Sequence, residues 1–282
     1  MSLIKQQKFT EERPLFAARE LSVCECVFEG PGESPLKESS NIEIRDCVFG
    51  WKYPLWYSAR IAVENTTFLV GARSGVWYTD GISFTDCTLE SPKTFRRSSN
   101  ISLLRVDMPH AEETMWSCRD IALSEVKIKG DYFAMNCEGV RAEKIEILGN
   151  YAFDGAREVE VRDSRLISKD AFWNCENVTV YDSLIVGEYL GWNSKNVKFV
   201  RCTIESNQGM CYMDGVELVD CTLVRTDLAF EYSRVNAEIN SSIDSVKNPE
   251  GRIIADSVGE IIIDSNRRGD AEIIERCKTN DR

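Results

Sequence analysis

An apolar residue returns every 19 to 21 positions along most of the chain, at Leu21, Ile42, Ile61, Ile82, Ile101, Ile121, Val140, Val159, Val178, Val197, Val216 and Val235. Two residues after each of these anchors stands a second apolar residue, from Val23 and Ile44 through Val180 and Phe199 to Ala237. Spacing of two is the mark of a strand with one buried face. Five residues past the anchor the residues are small or β-branched (Cys26, Cys47, Thr66, Cys87, Ser164, Ser183, Cys202, Cys221), and seven past it comes an aliphatic or Phe from Phe28 to Leu223. The residue before the anchor is usually Asn, Gly or Asp, as at Asn41, Gly81, Asn100, Asp120, Gly139, Asn177, Asn196 and Gly215. These residues tolerate the positive φ of a tight bend. Acids or Asn mark a second bend at Asp46, Asn65, Asp86, Asp163, Asp182 and Asp220.

A unit of about 20 residues with short strands and no room for a helix must bury its apolar side on its neighbours, which makes the chain a solenoid. The expected fold is all-β, a parallel β-helix of about 11–12 coils of 19–21 residues, with repeats over about 20–240. At an inter-strand spacing of about 4.8 Å the coils would form a rod about 55 Å long. One uninterrupted repeat predicts a single domain over 1–282, in which 241–282 caps the open end. The segment "EGRIIADSVGEIIIDS" reads as a hairpin-like cap, the last residues as a short tail with helical character, and "EGPGESPLKESS" (29–40) as a loop leaving the first coil.

Bulk properties narrow the function classes. A net charge of −12 disfavours a nucleic-acid partner, because phosphate binding relies on clustered Lys and Arg. No apolar run is long enough for a membrane span, and the N-terminal residues lack a signal-peptide core, so a cytoplasmic location is expected. The eleven Cys fall mostly on small-residue rows of the repeat, which predicts buried, reduced thiols and neither disulfides nor a metal site. Cys47, Cys87, Cys118, Cys137, Cys175, Cys202 and Cys221 carry that expectation. No cofactor is expected.

One row is not ordinary solenoid filler. Five residues before the anchors stand Trp56, Trp77, Arg96, Trp116, Met135, Asp154, Trp173, Trp192, Cys211 and Phe230, and six before stand Leu55, Val76, Phe95, Met115, Ala134, Phe153, Phe172, Gly191, Met210 and Ala229. Neighbours on a strand face opposite ways, so one of the two rows points inward. Arg96 and Asp154 would be costly to bury unpaired, which turns the Trp row outward and the other inward. An outward Trp row, flanked by Tyr57, Tyr78, Tyr132, Tyr151 and Tyr189, offers aromatic platforms for a saccharide or another extended ligand. In "SPKTFRRSSN", Lys93, Arg96 and Arg97 add a local cationic cluster suited to an anionic group. The candidate ligand-binding residues are therefore Trp56, Trp77, Lys93, Arg96, Arg97, Trp116, Tyr132, Tyr151, Trp173 and Trp192, with Asp154 as the candidate catalytic carboxylate.

The coil pattern over about 20–240 resembles the pectin-lyase-like superfamily of single-stranded parallel β-helices, and "YAFDG", "AFWNCENV" and "EYLGWNS" look like a bacterial β-helix family of unassigned function. The resemblance implies a right-handed helix. Enzymes of the superfamily act on acidic polysaccharides, the hydrolases through clustered Asp and the lyases through calcium-binding acids with an Arg or Lys base. Neither constellation is intact here. Asp154 and Asp170, one coil apart and about three strand positions out of register, come out about 11 Å apart on extended-chain spacings, a marginal hydrolytic pair at best. The single His, His110, has no Ser-His-Asp context.

Three classes of function stay open: a binder of a saccharide or other extended anionic ligand through the aromatic face, a carbohydrate-active hydrolase or lyase using Asp154 with Arg96 or Lys93, and a protein-interaction scaffold. An acidic mimic of DNA like the pentapeptide-repeat proteins is disfavoured, because those carry Leu or Phe every five residues around the whole coil. The oligomeric state is open.

Overall fold

A computed structural model describes residues 1–265 and 269–276. The fold is all-β, a parallel β-solenoid of about 14 turns, with a short 3-10 piece at Val70–Ala72. The chain divides into two compact units, Met1–Ile147 and Leu148–Arg282.

In the first unit most coils contribute one six-residue strand, such as Ser40–Arg45, Ala59–Glu64 and Asp80–Thr85, and one two-residue strand, such as Val48–Phe49. Successive coils pair in parallel with equivalent positions opposite one another: Ile42 on Ile61, Ile61 on Ile82, Ile82 on Ile101. The second unit repeats the plan through Arg157–Arg162, Glu176–Tyr181 and Lys195–Val200, with Val159 on Val178 and Val178 on Val197. Every anchor from Leu21 to Val235 is buried, and so is the row two residues on. Phe9, Phe28, Phe49 and Phe68 stack with ring centroids 4.5 to 4.8 Å apart.

The bends sit where the sequence places them. Asn41, Asn100, Asp120, Asn177 and Asn196 before the anchors, and Asp46, Asn65, Asp86, Asp163, Asp182 and Asp220 at the second bend, all have positive φ. Asn and Asp are the side chains that carry this conformation at least cost.

The third side of each coil is an arc of turns in which left-handed residues recur at every second position. Tyr53, Leu55 and Tyr57 form one such set, and Phe172 and Asn174 belong to another. Small donors three residues before the anchor hold the arcs in place. Ser58 Oγ donates to the Leu36 carbonyl (3.0 Å), Ser98 Oγ to Val76 (3.0 Å), Ser194 Oγ to Phe172 (2.6 Å), and the thiols of Cys137 and Cys175 to Met115 (2.7 Å) and Phe153 (2.9 Å). Each accepting carbonyl lies six residues before the anchor of the preceding coil, so a buried Ser, Thr or Cys ties one arc to the next while its own polar group finds a partner.

Four expectations are corrected. The turns number about 14 instead of 11–12. One reason is that Ser2–Lys5 and Lys8–Phe9 already form a coil ahead of Leu21, pairing in parallel with Arg19–Cys24 and Val27–Phe28. The C-terminal segment is no hairpin: Ser242–Lys247 pairs in parallel with Ser257–Ile262, and Glu250–Ala255 with both Arg234–Ile239 and Glu272–Glu275. Here coils shorten to about 15 residues, so the twenty-residue pattern fades while the parallel stacking continues. The tail expected to have helical character is a strand at Glu272–Glu275; the rest of it falls partly outside the described residues. Residues 29–40 form an ordinary arc with Leu36 fully buried, and do not leave the coil.

Burial lifts the thiols of Cys47 and Cys87 to about 12 and about 11, and that of Cys175 higher still. Thiols so far above their ordinary range are poor nucleophiles. Because all seven are buried, native protein should leave Cys47, Cys87, Cys118, Cys137, Cys175, Cys202 and Cys221 unlabelled by a maleimide over minutes, and unfolding in guanidinium should expose them; labelling of most of them before unfolding would contradict the packing. Val178→Asp puts a charge among anchors with no partner, and should cost about 4 kcal/mol or more, read as loss of the cooperative thermal transition.

Candidate functional site

The row six residues before the anchor is the inward one. Leu55, Val76, Phe95, Met115 and Ala134 in the first unit and Phe153, Phe172, Met210 and Ala229 in the second are all buried. Where its residues are small, neighbours fill the core: Phe133 is fully buried beside Ala134, and Met213 sulfur and methyl lie 3.1 Å from where a side chain on Gly191 would begin. The Trp row faces outward and is half-buried from Trp56 to Trp192, while its last two members, Cys211 and Phe230, are buried.

In the first unit this row is a continuous stack. Trp56 and Trp77 lie parallel with centroids 5.1 Å apart at 8°. The Arg96 guanidinium takes the next place, 4.7 Å from the Trp77 ring and 4.6 Å from the Trp116 ring. Alongside runs an exposed second stack, Tyr57 on Tyr78 at 4.8 Å and 5°, with Arg97 6.0 Å above Tyr78 and Lys37 5.7 Å above Tyr57. The indole N–H groups reach across to the following arc, where Trp56 donates to Ser74 O (2.5 Å), Trp77 to Lys93 O (2.8 Å) and Trp116 to Tyr132 O (2.7 Å). The Trp faces are thus turned along the coil axis and taken up by one another, and what they offer to a ligand is edges. The platform geometry expected for sugar stacking is absent from Trp77, whose two faces meet Trp56 and Arg96.

Of the cationic cluster, Lys93 and Arg96 converge on one carboxylate, while Arg97 turns to Tyr78. Lys93 Nζ is 2.9 Å from Glu113 Oε2, and Arg96 Nη2 is 3.6 Å from the same oxygen. Arg96 Nε and Nη2 are buried and make no hydrogen bond, whereas Arg105 and Arg201 use the same two nitrogens to grip Asp86 and Asp182 at 2.6 to 2.8 Å. Glu113 is the site residue that sequence reasoning misses. Both it and Lys93 stand eight residues before their anchors, one coil apart, so extending the row alignment by three positions puts them side by side.

In the second unit Trp173 stacks on Trp192 (5.7 Å, 17°), and Tyr189 meets Trp192 edge-on at 5.6 Å. Beside them sit Asp154, half-buried, and Asp170, buried. Burial is the main cause that raises the Asp154 carboxyl, against which a hydrogen bond from Asn174 works; Asn174 in turn accepts one from Asn193 (2.7 Å). Burial also raises Asp170, helped by the charges of Glu188 and Asp154 and opposed by Lys169 and by a hydrogen bond from Tyr151. The extended-chain estimate of about 11 Å between these carboxyls does not apply, because the arc turns between Tyr151 and Asp154, where the Asp154 N–H donates to Tyr151 O at 3.4 Å. Of the expected site residues, Trp56, Trp77, Lys93, Arg96, Arg97, Trp116 and Tyr132 gather in the first unit, and Tyr151, Asp154, Trp173 and Trp192 in the second.

Fold and row geometry define a β-solenoid with aromatic and charged ladders on its turn side. The chain belongs to the family described as Protein of unknown function (DUF3737), whose model matches residues 2–275. No curated protein matches it. Among solved structures it is similar to PfbA, a surface adhesin of Streptococcus pneumoniae (10% identity, TM-score 0.36, covering 94% of this chain and 76% of that one). It is also similar to the catalytic domain of a GH87 alpha-1,3-glucanase in complex with tetrasaccharides (8%, 0.35, 97% and 63%). A third is the mannuronan C-5 epimerase AlgE4 A-module of Azotobacter vinelandii (9%, 0.28, 96% and 88%). Likenesses at these scores carry no argument about chemistry.

The Asp154 shift has a sign that can be checked. Its folded-state pKa lies above the unfolded value, so the fold favours the protonated form; that contribution is full below the unfolded value near 3.8 and is lost as pH rises through the folded value. Asp154→Asn keeps an acceptor for Asn174 and removes the charge. The melting temperature of the variant relative to wild type should therefore rise between pH 4 and pH 7; a fall would show that the carboxylate is a structural anchor.

Proposed function

We propose that the protein binds an anionic saccharide, or a similar extended anionic ligand, through the turn side of its first unit, with Arg96 as the contact for a ligand carboxylate. The observation that carries this reading is a guanidinium held between two indoles with two of its nitrogens lacking any hydrogen bond. An Arg oriented by aromatic faces loses little freedom when it takes a planar anion, and its side-on edge matches a carboxylate. Lys93 and Arg97 lie on either side in sequence and add positive charge in a chain that is otherwise acidic. Tyr57 and Tyr78, 51% and 37% exposed, supply the apolar contact that the Trp faces do not.

A second reading rests on the second unit. Two carboxyls raised by burial, beside a Trp stack and hydrogen-bonded to Tyr151 and Asn174, are groups from which acid and base roles are built. In this reading the protein is a carbohydrate-active hydrolase or lyase, and Asp154→Asn or Asp170→Asn removes activity in a reducing-end or unsaturated-product assay. Failure of binding and of turnover together would leave the scaffold.

Titration calorimetry with tetragalacturonate, and with maltotetraose as the neutral control, tests the first reading. Arg96→Ala opens a gap between Trp77 and Trp116 and confounds binding with packing. Arg96→Met, which copies Met135 of the same row, keeps the straight-chain contact and removes the charge. Wild type should bind the uronate and not the glucan, more weakly as salt rises, and Arg96→Met should lose binding while melting within about 3 °C of wild type. Equal binding of both sugars, or uronate binding unaffected by Arg96→Met, would sink the proposal.

A further inference from the structure

Resting on that reading, we infer that Glu113 is a built-in stand-in for the ligand carboxylate, so that the free protein holds its own anion site closed and the ligand enters by exchange. One oxygen of Glu113 faces both cations, at 2.9 Å from Lys93 and 3.6 Å from Arg96. The Arg96 contact is the loose one. The Nε and Nη2 atoms that close on carboxylates in Arg105, Arg201 and Arg225 make no hydrogen bond here, although Glu113 is within ion-pair range. Glu113 therefore screens the guanidinium from beside Nη2 without using its hydrogen-bonding capacity. A ligand carboxylate seated squarely on the side-on edge makes two bonds where Glu113 makes none.

The backbone allows the exchange. Glu113 sits at φ 49° in the arc, with its N–H donating to Asp131 O at 2.9 Å, so its main chain is held by the coil stack. Its side chain is 35% exposed, and rotation about its own bonds carries the carboxylate into water without moving a strand. Lys93, 44% exposed, is the partner that retains it in the free state. Exchange of carboxylate for carboxylate keeps the two cations paired, so the site selects for a group that fits the planar edge better than Glu113 and against neutral sugars, which cannot replace the lost ion pair.

The test is the affinity of tetragalacturonate for Glu113→Gln, which keeps the size and removes the charge, and for Glu113→Asp, which is too short to span both cations. With an exposed pair as the competitor, Glu113→Gln should bind about fivefold more tightly than wild type. Glu113→Asp should fall between the two, and maltotetraose should bind none of the three. Binding by Glu113→Gln alone would also support the stand-in, with wild type then fully closed. If wild type binds and Glu113→Gln binds equally or more weakly, Glu113 is a support for Lys93 and Arg96, and the inference fails while the binding reading stands. If neither protein binds the uronate, both fail together.

Discussion

In-register parallel pairing at one-coil spacing is the constraint on which everything else in this molecule depends. Once Ile42 lies on Ile61 and Ile61 on Ile82, every side chain in a unit has the equivalent side chain of the next coil as its nearest neighbour. A row must then be made of residues that stack on themselves. Phe does so inside, Trp and Tyr outside, and amides at the bends, where Asn196 donates to Asn177 (2.7 Å) and Asn193 to Asn174 (2.7 Å). Opposite charges also pair across neighbouring coils, as in Arg105 on Asp86, Arg201 on Asp182 and Lys198 on Glu217.

The same constraint explains what is legible from the sequence. A row that stacks on itself repeats, so the anchors, the Asn and Asp bends and the direction of the Trp row can be read from spacing and burial cost. The arcs cannot. There, backbone hydrogen bonds run to the coils above and below although alternate residues are left-handed, and residues as unlike glycine as Phe172 and Tyr53 adopt that conformation because the stack holds them. Extended-chain distances do not apply in such a segment, so spacing alone does not fix the separation of Asp154 and Asp170. The C-terminal coils escape the sequence pattern for a related reason. Parallel stacking needs a matching register and not a fixed coil length, so the pairing of Ile243 with Val258 over 15 residues carries on a solenoid whose sequence period has already been lost.

The candidate site is legible in part. Lys93, Arg96 and Arg97 stand out in sequence as charges within five residues of an aromatic row; in the structure Lys93 and Arg96 share Glu113, while Arg97 lies over Tyr78. What stacking adds is the orientation of each group. A Trp in a ladder gives its faces to its neighbours, so the aromatic surface is narrower than the number of Trp residues implies, and the exposed contribution shifts to Tyr57 and Tyr78.

A ladder also explains how chemistry can be added to such a scaffold at small cost to the fold. Replacing one Trp of the row by Arg96 disturbs only two ring contacts, and the guanidinium meets both as cation–π contacts of a length similar to the ring spacing it replaces, 4.7 and 4.6 Å against 5.1 Å for Trp56 on Trp77. The stack stays continuous while its polar edge is left with donors that no neighbour in the row can satisfy, since Trp77 and Trp116 present faces and not acceptors. Asp154 interrupts the equivalent row in the second unit with the opposite result: a carboxyl gains nothing from the electron-rich face of a ring, burial raises its pKa, and its relief comes from an amide, Asn174, on the adjoining coil. The cation is thus accommodated by the ladder and the anion is resisted by it, which is the physical reason to look for ligand recognition at Arg96 and for proton chemistry at Asp154.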